Sequence, residues 1–297
     1  MGLRTQRLHC SLSTFVPIPL RVAAIDFLNP APLMWDLEHS PEAERLRERY
    51  SLEYMRPSQC AEDLLTGRAG LGLVPIAALT PELSVVPGCM IGSLKRVRSI
   101  QLITKVPLSG VRSVAADTSS RSSVAYAEIL FRRFHKLEPV FEAHAPDLEA
   151  MLSKHDAALL IGDPALIALE RRQDVEGRVG CALEWHDMAE EWNRYTGLPW
   201  VAAVWAVREE ALAASGLEAG ELVRDLQLSR DHGLAHIEDL VREWVPRVAL
   251  PPSTIRSYLT ENIRYMLERD CLGAIETFRE YAAECGSLPP LPKLRLL

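Results

Sequence analysis

Membrane-spanning and export signals are missing from the 297-residue sequence. No apolar run approaches the ~20 residues that a transmembrane helix needs, and the longest candidate, Trp200–Val207, has the length of a strand. Residues 1–20 lack both the continuous apolar core and the small-residue cleavage site of a signal peptide. We therefore expect residues 1–20 to form an N-terminal extension, and the protein to be cytoplasmic with no membrane partner.

An excess of positive charge is also missing. The 33 Lys and Arg residues are outnumbered by 40 Asp and Glu residues, which gives a net charge of −7. A dedicated nucleic-acid-binding protein usually carries the opposite balance, so we expect no nucleic-acid partner. A small anionic ligand remains compatible with this charge, because a local cluster of hydrogen-bond donors can oppose the net sign.

Familiar catalytic and metal-binding motifs are absent. The sequence contains no G-x-S-x-G or H-E-x-x-H pattern, and residues 67–72 lack the Gly-Lys-Ser/Thr ending of a phosphate loop. The six cysteines form no C-x-x-C pair and have no zinc-site spacing. We therefore expect no metal and mostly packed, reduced thiols, with an exported protein of three disulfides as the less favoured alternative.

Short apolar runs that alternate with helical patterns are what the chain does contain. Strands are predicted at residues 20–25, 71–74, 100–106, 113–116, 157–161 and 200–207, and helices at 58–66, 124–134 and 186–194 and from 209 onward. This alternation indicates an α/β fold with mainly parallel sheets. Residues 62–79 and 147–166 share one order of elements, which favours two similar lobes.

One strand-to-helix turn is unusually rich in hydroxyl groups. Its sequence is Asp117-Thr118-Ser119-Ser120-Arg121-Ser122-Ser123. The first turn of a helix has free N–H groups and a partial positive charge, and Arg121 can bind a carboxylate through two hydrogen bonds. The turn therefore predicts an anion site; the alternative is a serine-rich cap with Arg121 in solvent.

Three further polar residues lie beside prolines at predicted helix starts. Asn29 precedes Pro30, Ser58 follows Pro57, and Asp163 precedes Pro164. Each is a typical helix cap, and each would also lie near the ends of strands, where ligands bind in open α/β sheets. Both interpretations stay open on spacing alone. Ser99 has no recognisable structural signal.

Several short segments occur together in an order that carries a family resemblance. They are Phe27-Leu28-Asn29, Pro32-Leu33, Leu73-Val74-Pro75, Val97-Arg98-Ser99, the 117–123 turn, Leu159-Leu160-Ile161-Gly162-Asp163, Thr196-Gly197-Leu198-Pro199, Trp205 and Tyr258-Leu259-Thr260-Glu261-Asn262. Each is weak alone, but in this order, over about residues 21–265, they resemble the chorismate dehydratase family of the futalosine route to menaquinone. Phe27 stands where a tyrosine is common, and Gly70 where an aspartate is frequent.

The resemblance implies a type 2 periplasmic-binding-protein-like fold used as an enzyme. Two α/β lobes would enclose a ligand in the cleft between them. The first lobe would be discontinuous, formed by residues 21–105 and 205–297, and the second would comprise residues 106–204. The crossings between lobes are expected near Val106 and Val204.

The resemblance further implies loss of water from chorismate without a metal, flavin or nicotinamide cofactor. By position, Asn29 and Ser99 would carry the chemistry. Residues that would bind the substrate or line the cleft are Ser58, Thr118, Ser119, Ser120, Arg121, Ser122, Gly162 and Asp163. The general base is unassigned, and one hypothesis is that a substrate carboxylate takes the proton. Two alternatives remain: a 1,4-dihydroxy-6-naphthoate synthase of the same pathway and a non-enzymatic solute-binding protein.

Overall fold

The computed structural model of the chain describes residues 18–118 and 121–297. Most of the predicted N-terminal extension lies outside these ranges, as do Ser119 and Ser120 of the predicted anion-binding turn.

Strands and helices alternate through the first two thirds of the described chain, and helices dominate the last third. The strands are β1 Leu20–Ile25, β2 Tyr50–Met55, β3 Leu71–Pro75, β4 Ser84–Ser93, β5 Ile100–Thr104, β6 Ser113–Asp117, β7 Val140–His144, β8 Ala157–Ile161, β9 Glu184–Asp187, β10 Trp200–Val207 and β11 Arg295–Leu296. The α-helices are α1 Trp35–Glu38, α2 Glu42–Leu46, α3 Pro57–Leu65, α4 Arg121–Ile129, α5 Leu148–Lys154, α6 Gly162–Glu170, α7 Arg172–Val179, α8 Met188–Thr196, α9 Glu209–Ser215, α10 Ala219–Ala235, α11 Ile237–Val248, α12 Pro252–Ser257 and α13 Arg269–Glu284. Short 3₁₀ turns occupy Ala31–Met34, Ile76–Ala78 and Leu108–Gly110, and π-helical turns occupy Leu130–His135 and Tyr258–Asn262.

The strands form two sheets. The first has the order β11-β4-β10-β3-β1-β2, and the second has the order β7-β6-β8-β5-β9. Both sheets are mixed, and parallel pairs outnumber antiparallel ones among the described strands: β1 pairs in parallel with β2 and β3, β11 with β4, and β6 with β7 and β8. The antiparallel pairs involve β5 and β10, which run opposite to both of their neighbours. These are the strands by which the chain enters one sheet from the other, so the crossing sets their direction.

The chain crosses between the sheets twice. The first crossing joins β4 to β5, and the second joins β9 to β10. Residues 100–104, assigned to the first lobe on sequence, pair in the second sheet, and residues 200–204, assigned to the second lobe, pair in the first. We therefore propose lobe boundaries within residues 94–99 and 188–199.

A large apolar core packs against both sheets, and a smaller separate cluster, which includes Ile103, Met151 and Val175, packs the second sheet against α5 and α7. The large core includes the fully buried Trp200 and Trp205 on β10, Tyr126 on α4 and Phe278 on α13. Residue 70 belongs to this packing: a Cβ there would lie 2.5 Å from Leu20 Cδ1. Gly70, which stands where the family often has an aspartate, therefore allows Leu20 to pack closely against the backbone.

The cysteines test the alternative of three disulfides, and the helices test the prediction that the chain has no transmembrane segment. Cys60, Cys89, Cys181, Cys271 and Cys285 are free thiols, so the alternative of three disulfides is wrong. Within residues 18–118 and 121–297, every helix is too short or too polar to cross a membrane.

Candidate active site

A small cavity of about 50 Å³ lies where the two sheets meet. Small-molecule sites typically enclose roughly 300–1,000 Å³, so this cavity must widen to hold a ring-sized ligand. Its walls come from strand ends, from the start of α4 and from the start of α6. The lining residues are Ile25, Phe27, Asn29, Pro57, Pro75, Ile91, Ile100, Ser122, Ser123, Ile161, Gly162, Ala202 and Ala203.

Asn29 presents an unpaired amide oxygen at this cavity. The expected capping role is wrong, because Pro30 occupies the cap position of the 3₁₀ turn Ala31–Met34 and no side chain caps it. Asn29 Oδ1 is inaccessible to solvent and has no hydrogen-bond partner among the described residues. Leaving a buried acceptor unpaired costs about 1–3 kcal/mol, so its retention beside a cavity points to a ligand that donates a hydrogen bond.

Ser99 lies immediately behind the cavity wall. It is fully buried, and the next residue, Ile100, lines the cavity. Its Oγ lies 2.7 Å from the phenol oxygen of Tyr258. The structure thus brings Ser99 close to the wall that contains Asn29, although Ser99 is not itself a lining residue. Tyr258 belongs to the family-like segment 258–262, but nothing local in the sequence predicts its contact with a residue 159 positions away.

The backbone before Ser99 is strained and is held by one carboxylate. Arg98 has φ +60°, a left-handed conformation that costs a non-glycine residue about 1–3 kcal/mol. The Asp187 carboxylate accepts hydrogen bonds from Val97 N at 3.1 Å and Arg98 N at 2.7 Å, and from Gln101 Nε2 at 3.2 Å. Burial raises the pKa of Asp187, and these backbone bonds partly oppose that rise. Asp187 therefore fixes the loop that places Ser99.

No motif in the sequence marks Asp187 as a functional residue. The sequence predicts a helix from His186, whereas His186 lies in β9 and the helix α8 begins at Met188. Asp187 caps that helix by accepting hydrogen bonds from Ala189 N and Glu190 N. The sequence signal for Asp187 is an aspartate directly before a helix, which predicts its capping role. Its hydrogen bond to Arg98 N, 89 positions earlier, has no local signal.

Asp163 connects the two lobes instead of capping a helix. Helix α6 already begins at Gly162, so Asp163 lies inside its first turn. Both carboxylate oxygens accept a hydrogen bond from Leu28 N, at 3.0 and 3.2 Å. Burial raises the pKa of Asp163 to about 6, and the bond from Leu28 partly offsets this. Asp163 is not a lining residue, but it holds the turn that contains Asn29.

Gly162 allows close packing at the cavity wall. Its φ is +63°, and a Cβ at this position would lie 2.7 Å from the ring of Phe27. Any side chain here would displace Phe27. The phenylalanine that departs from the family pattern thus packs directly on the backbone of a predicted site residue.

The predicted anion-binding turn is divided between two cavities. Ser122 lines the small cavity, and its hydroxyl accepts a hydrogen bond from Ala77 N at 3.1 Å. Thr118 and Arg121 are exposed and line a separate cavity of about 610 Å³. Arg121 is the one cationic residue among the described lining residues of that larger cavity, which also contains Glu128 and two other acidic side chains.

Ser58 does not take the expected capping position. Helix α3 begins at Pro57, with Arg56 at its cap, so Ser58 lies in the first turn. Its neighbour Pro57 lines the small cavity, whereas Ser58 does not. Its contact with substrate stays a prediction. Among the described residues, no cluster of His, Cys, Asp and Glu is arranged to hold a metal ion.

Sequence comparisons relate the chain to one family. A family model described as menaquinone biosynthesis matches residues 20–284. The chain is also 30% identical over 265 residues to a Thermus thermophilus protein named chorismate dehydratase. That alignment covers 86% of this chain and 92% of the relative.

Structural comparisons confirm the predicted fold. The periplasmic aliphatic sulphonate binding protein SsuA from Escherichia coli has a TM-score of 0.63 and 16% identity, over 94% of this chain and 95% of that one. A Candida albicans gene product described as having the generic periplasmic binding protein fold has a TM-score of 0.62 and 11% identity, over 94% and 98%. At these identities the likeness concerns the fold alone.

Proposed function

Because the chain belongs to the menaquinone biosynthesis family, we propose that it is a chorismate dehydratase that converts chorismate to 3-[(1-carboxyvinyl)oxy]benzoate. The observation that carries the proposal is the relationship to the Thermus thermophilus chorismate dehydratase along 86% of the chain. A geometric observation supports the proposal: Asn29 Oδ1, at the cavity between the lobes, has no hydrogen-bond partner among the described residues.

The reaction demands orientation more than strong activation. Chorismate loses a ring proton from C3 and the hydroxyl from C4, and the ring becomes aromatic, which supplies the thermodynamic drive. An enzyme for this step must hold the ring in one geometry and guide the two departing groups. The cavity between the two lobes, with few polar side chains, meets that demand once it has widened to admit the ring and its walls contact the substrate.

Asn29 matches the only hydrogen-bond donor that the substrate offers. At neutral pH both carboxylates of chorismate are ionised and accept hydrogen bonds, so the ring hydroxyl is its sole donor. The buried Oδ1 of Asn29 requires a donor. In the proposal, Asn29 therefore accepts a hydrogen bond from the ring hydroxyl and orients the departing group.

Ser99 supplies a donor on the proposed pathway. It accepts a hydrogen bond from Tyr258 and directly precedes the lining residue Ile100. In the proposal its hydroxyl donates to a substrate oxygen that gains negative charge as the ring proton leaves. The polar side chains among the described lining residues of the small cavity are Asn29, Ser122 and Ser123, none of which is a base at neutral pH. A carboxylate of chorismate itself is therefore the proposed proton acceptor. It takes the C3 proton, the electron pair of the C3–H bond forms the new ring double bond as the C4–O bond breaks, and the carboxylate passes the proton to the departing hydroxyl, which leaves as water.

Arg121 is the proposed ligand of a substrate carboxylate, with Thr118 and, by position, Ser119, Ser120 and Ser122. Arg121→Ala should raise KM at least about tenfold and change kcat less, because a carboxylate contact is made equally in the ground and transition states. Arg172→Ala, at the exposed start of α7, removes the same charge as a control. An unchanged KM in Arg121→Ala would argue against this contact.

The direct test incubates purified protein with chorismate and no added cofactor. We expect a product that has lost one water, identified by mass, and the growth of aromatic absorbance. Unchanged chorismate, with binding detected by calorimetry, would favour a solute-binding protein. The proposal includes a cytoplasmic location, which the same assay on cell fractions tests.

A further inference from the structure

Ser99 and Tyr258 form a pair of buried hydroxyl groups that are hydrogen-bonded to each other, and no other side chain among the described residues is recorded as bonding to either hydroxyl. Both residues are fully buried, and their oxygens are 2.7 Å apart. Tyr258 opens the π-helical turn Tyr258–Asn262, which follows α12. Burial raises the pKa of the Tyr258 phenol, so the phenol is neutral and carries one proton to donate.

The pair contains two protons but makes one hydrogen bond. One proton is therefore left over, whichever oxygen donates. Neither residue lines the small cavity as it stands, but Ser99 directly precedes the lining residue Ile100, whereas Tyr258 adjoins no lining residue. When the cavity widens for a ligand, the Ser99 hydroxyl is the nearer of the two, so ligand binding favours the arrangement that leaves the serine proton free.

We propose that Tyr258 is a positioning residue for dehydration: it donates to Ser99 Oγ and directs the serine's own proton at a substrate oxygen. The inference rests on the proposed function. A hydroxyl that accepts one hydrogen bond donates a stronger one, and the bond from Tyr258 also restricts rotation of the serine hydroxyl. Tyr258 thus acts through Ser99 without touching the substrate.

A double-mutant cycle separates this role from a structural one. Tyr258→Phe should lower kcat about tenfold, which corresponds to about 1.4 kcal/mol, and leave KM within about twofold. In a Ser99→Ala background the same substitution should lower kcat no further, because the group through which Tyr258 acts is gone. Tyr265→Phe is the matched control: Tyr265 is also buried, but its hydroxyl has no partner among the described residues, so its kcat should equal that of the wild type.

The outcomes distinguish this inference from the proposed function. If the wild type forms no product from chorismate, the proposed function fails and the inference falls with it. If the wild type is active and Tyr258→Phe behaves like Tyr265→Phe, the inference alone is overturned. It is also overturned if Tyr258→Phe lowers kcat further in the Ser99→Ala background. Should Tyr258→Phe unfold, as judged by thermal denaturation, comparison of the double variant with Ser99→Ala still decides, because the double variant leaves neither hydroxyl unpaired.

Discussion

The two crossings between the sheets each contain a residue in the left-handed conformation, but the residue types differ. The first, residues 94–99, passes through a left-handed Arg98, and the second, residues 188–199, passes through a left-handed Gly197. Glycine adopts that conformation at little cost, whereas arginine does not. The strained crossing is the one that leads into Ser99, and the relaxed one ends the regular helix α8. Of the two crossings, the one with the strained backbone is therefore the one that leads into a predicted site residue.

Asp187 joins the two crossings. Its carboxylate accepts hydrogen bonds from Val97 and Arg98 in the first crossing, and from Ala189 and Glu190 at the start of the second. One buried side chain therefore holds both connections between the lobes. Its hydrogen bond from Arg98 N holds the left-handed backbone of the first crossing in place.

The largest expected effect comes from removing that carboxylate. Asp187→Ala should lower the free energy of unfolding by about 3 kcal/mol, because it leaves buried backbone N–H groups unpaired and removes a helix cap. It should also lower kcat, since Ser99 loses its support. Asp147→Ala is the control: Asp147 is exposed and caps only α5, through Ala150 N at 3.1 Å, so its loss should be about 1 kcal/mol. If urea denaturation shows that Asp187→Ala and Asp147→Ala lower the free energy of unfolding equally, Asp187 acts only as a helix cap.

A smaller effect is expected at Asp163, the carboxylate that links the lobes outside the crossings. Its pKa is raised from 3.8 to about 6 in the folded protein, so the folded state holds this proton more tightly than the unfolded state. The stability contributed by protonated Asp163 is present below pH 4 and is lost as the pH rises through 6. The free energy of unfolding of Asp163→Asn minus that of the wild type should therefore increase by on the order of 2 kcal/mol between pH 4 and 7. A difference that stays flat would contradict this pH linkage.

The smallest effect measures the strain at the two crossings directly. Gly197→Ala should destabilise the protein by about 1 kcal/mol, although a Cβ there would meet nothing within 4 Å, because the cost lies in the backbone conformation alone. At the first crossing, Arg98→Gly should be about 1 kcal/mol more stable than Arg98→Ala, since both variants lose the same guanidinium contacts. If glycine and alanine are equivalent at residue 98, the first crossing is not strained.

The sequence predicted the elements better than their connections. The strands predicted at 20–25, 157–161 and 200–207 are confirmed. Each is a mostly apolar run with Pro, Gly or Asp at one or both ends, and these are local signals. The sequences Asn29-Pro30 and Asp163-Pro164 predict helix caps at Asn29 and Asp163, whereas the cap positions are Pro30 and Ile161. Contacts across the lobes, such as Asp163 with Leu28, decide those positions, and no local pattern encodes them.

The candidate site was predicted in a similar way. The family resemblance selected Asn29 and Gly162, which line the same cavity, and Ser99, which lies behind its wall. The supporting residues Asp187 and Tyr258 could not be assigned roles from sequence, because each acts on residues about 90 to 160 positions away. The sequence predicts mainly parallel pairing but not the antiparallel direction of β5 and β10, because that direction follows from the crossings and not from the strands themselves.

The turnover of chorismate by Asn29→Leu tests the account most directly. Leucine fills a similar volume but cannot accept a hydrogen bond from the ring hydroxyl. The substitution does not remove the existing hydrogen bond from Leu28 N to Asp163, because that bond uses the backbone of residue 28. With folding verified by circular dichroism, kcat should fall about a hundredfold relative to the wild type. A variant that dehydrates chorismate within about twofold of the wild-type kcat would show that the cavity between the two sheets is not where the reaction takes place.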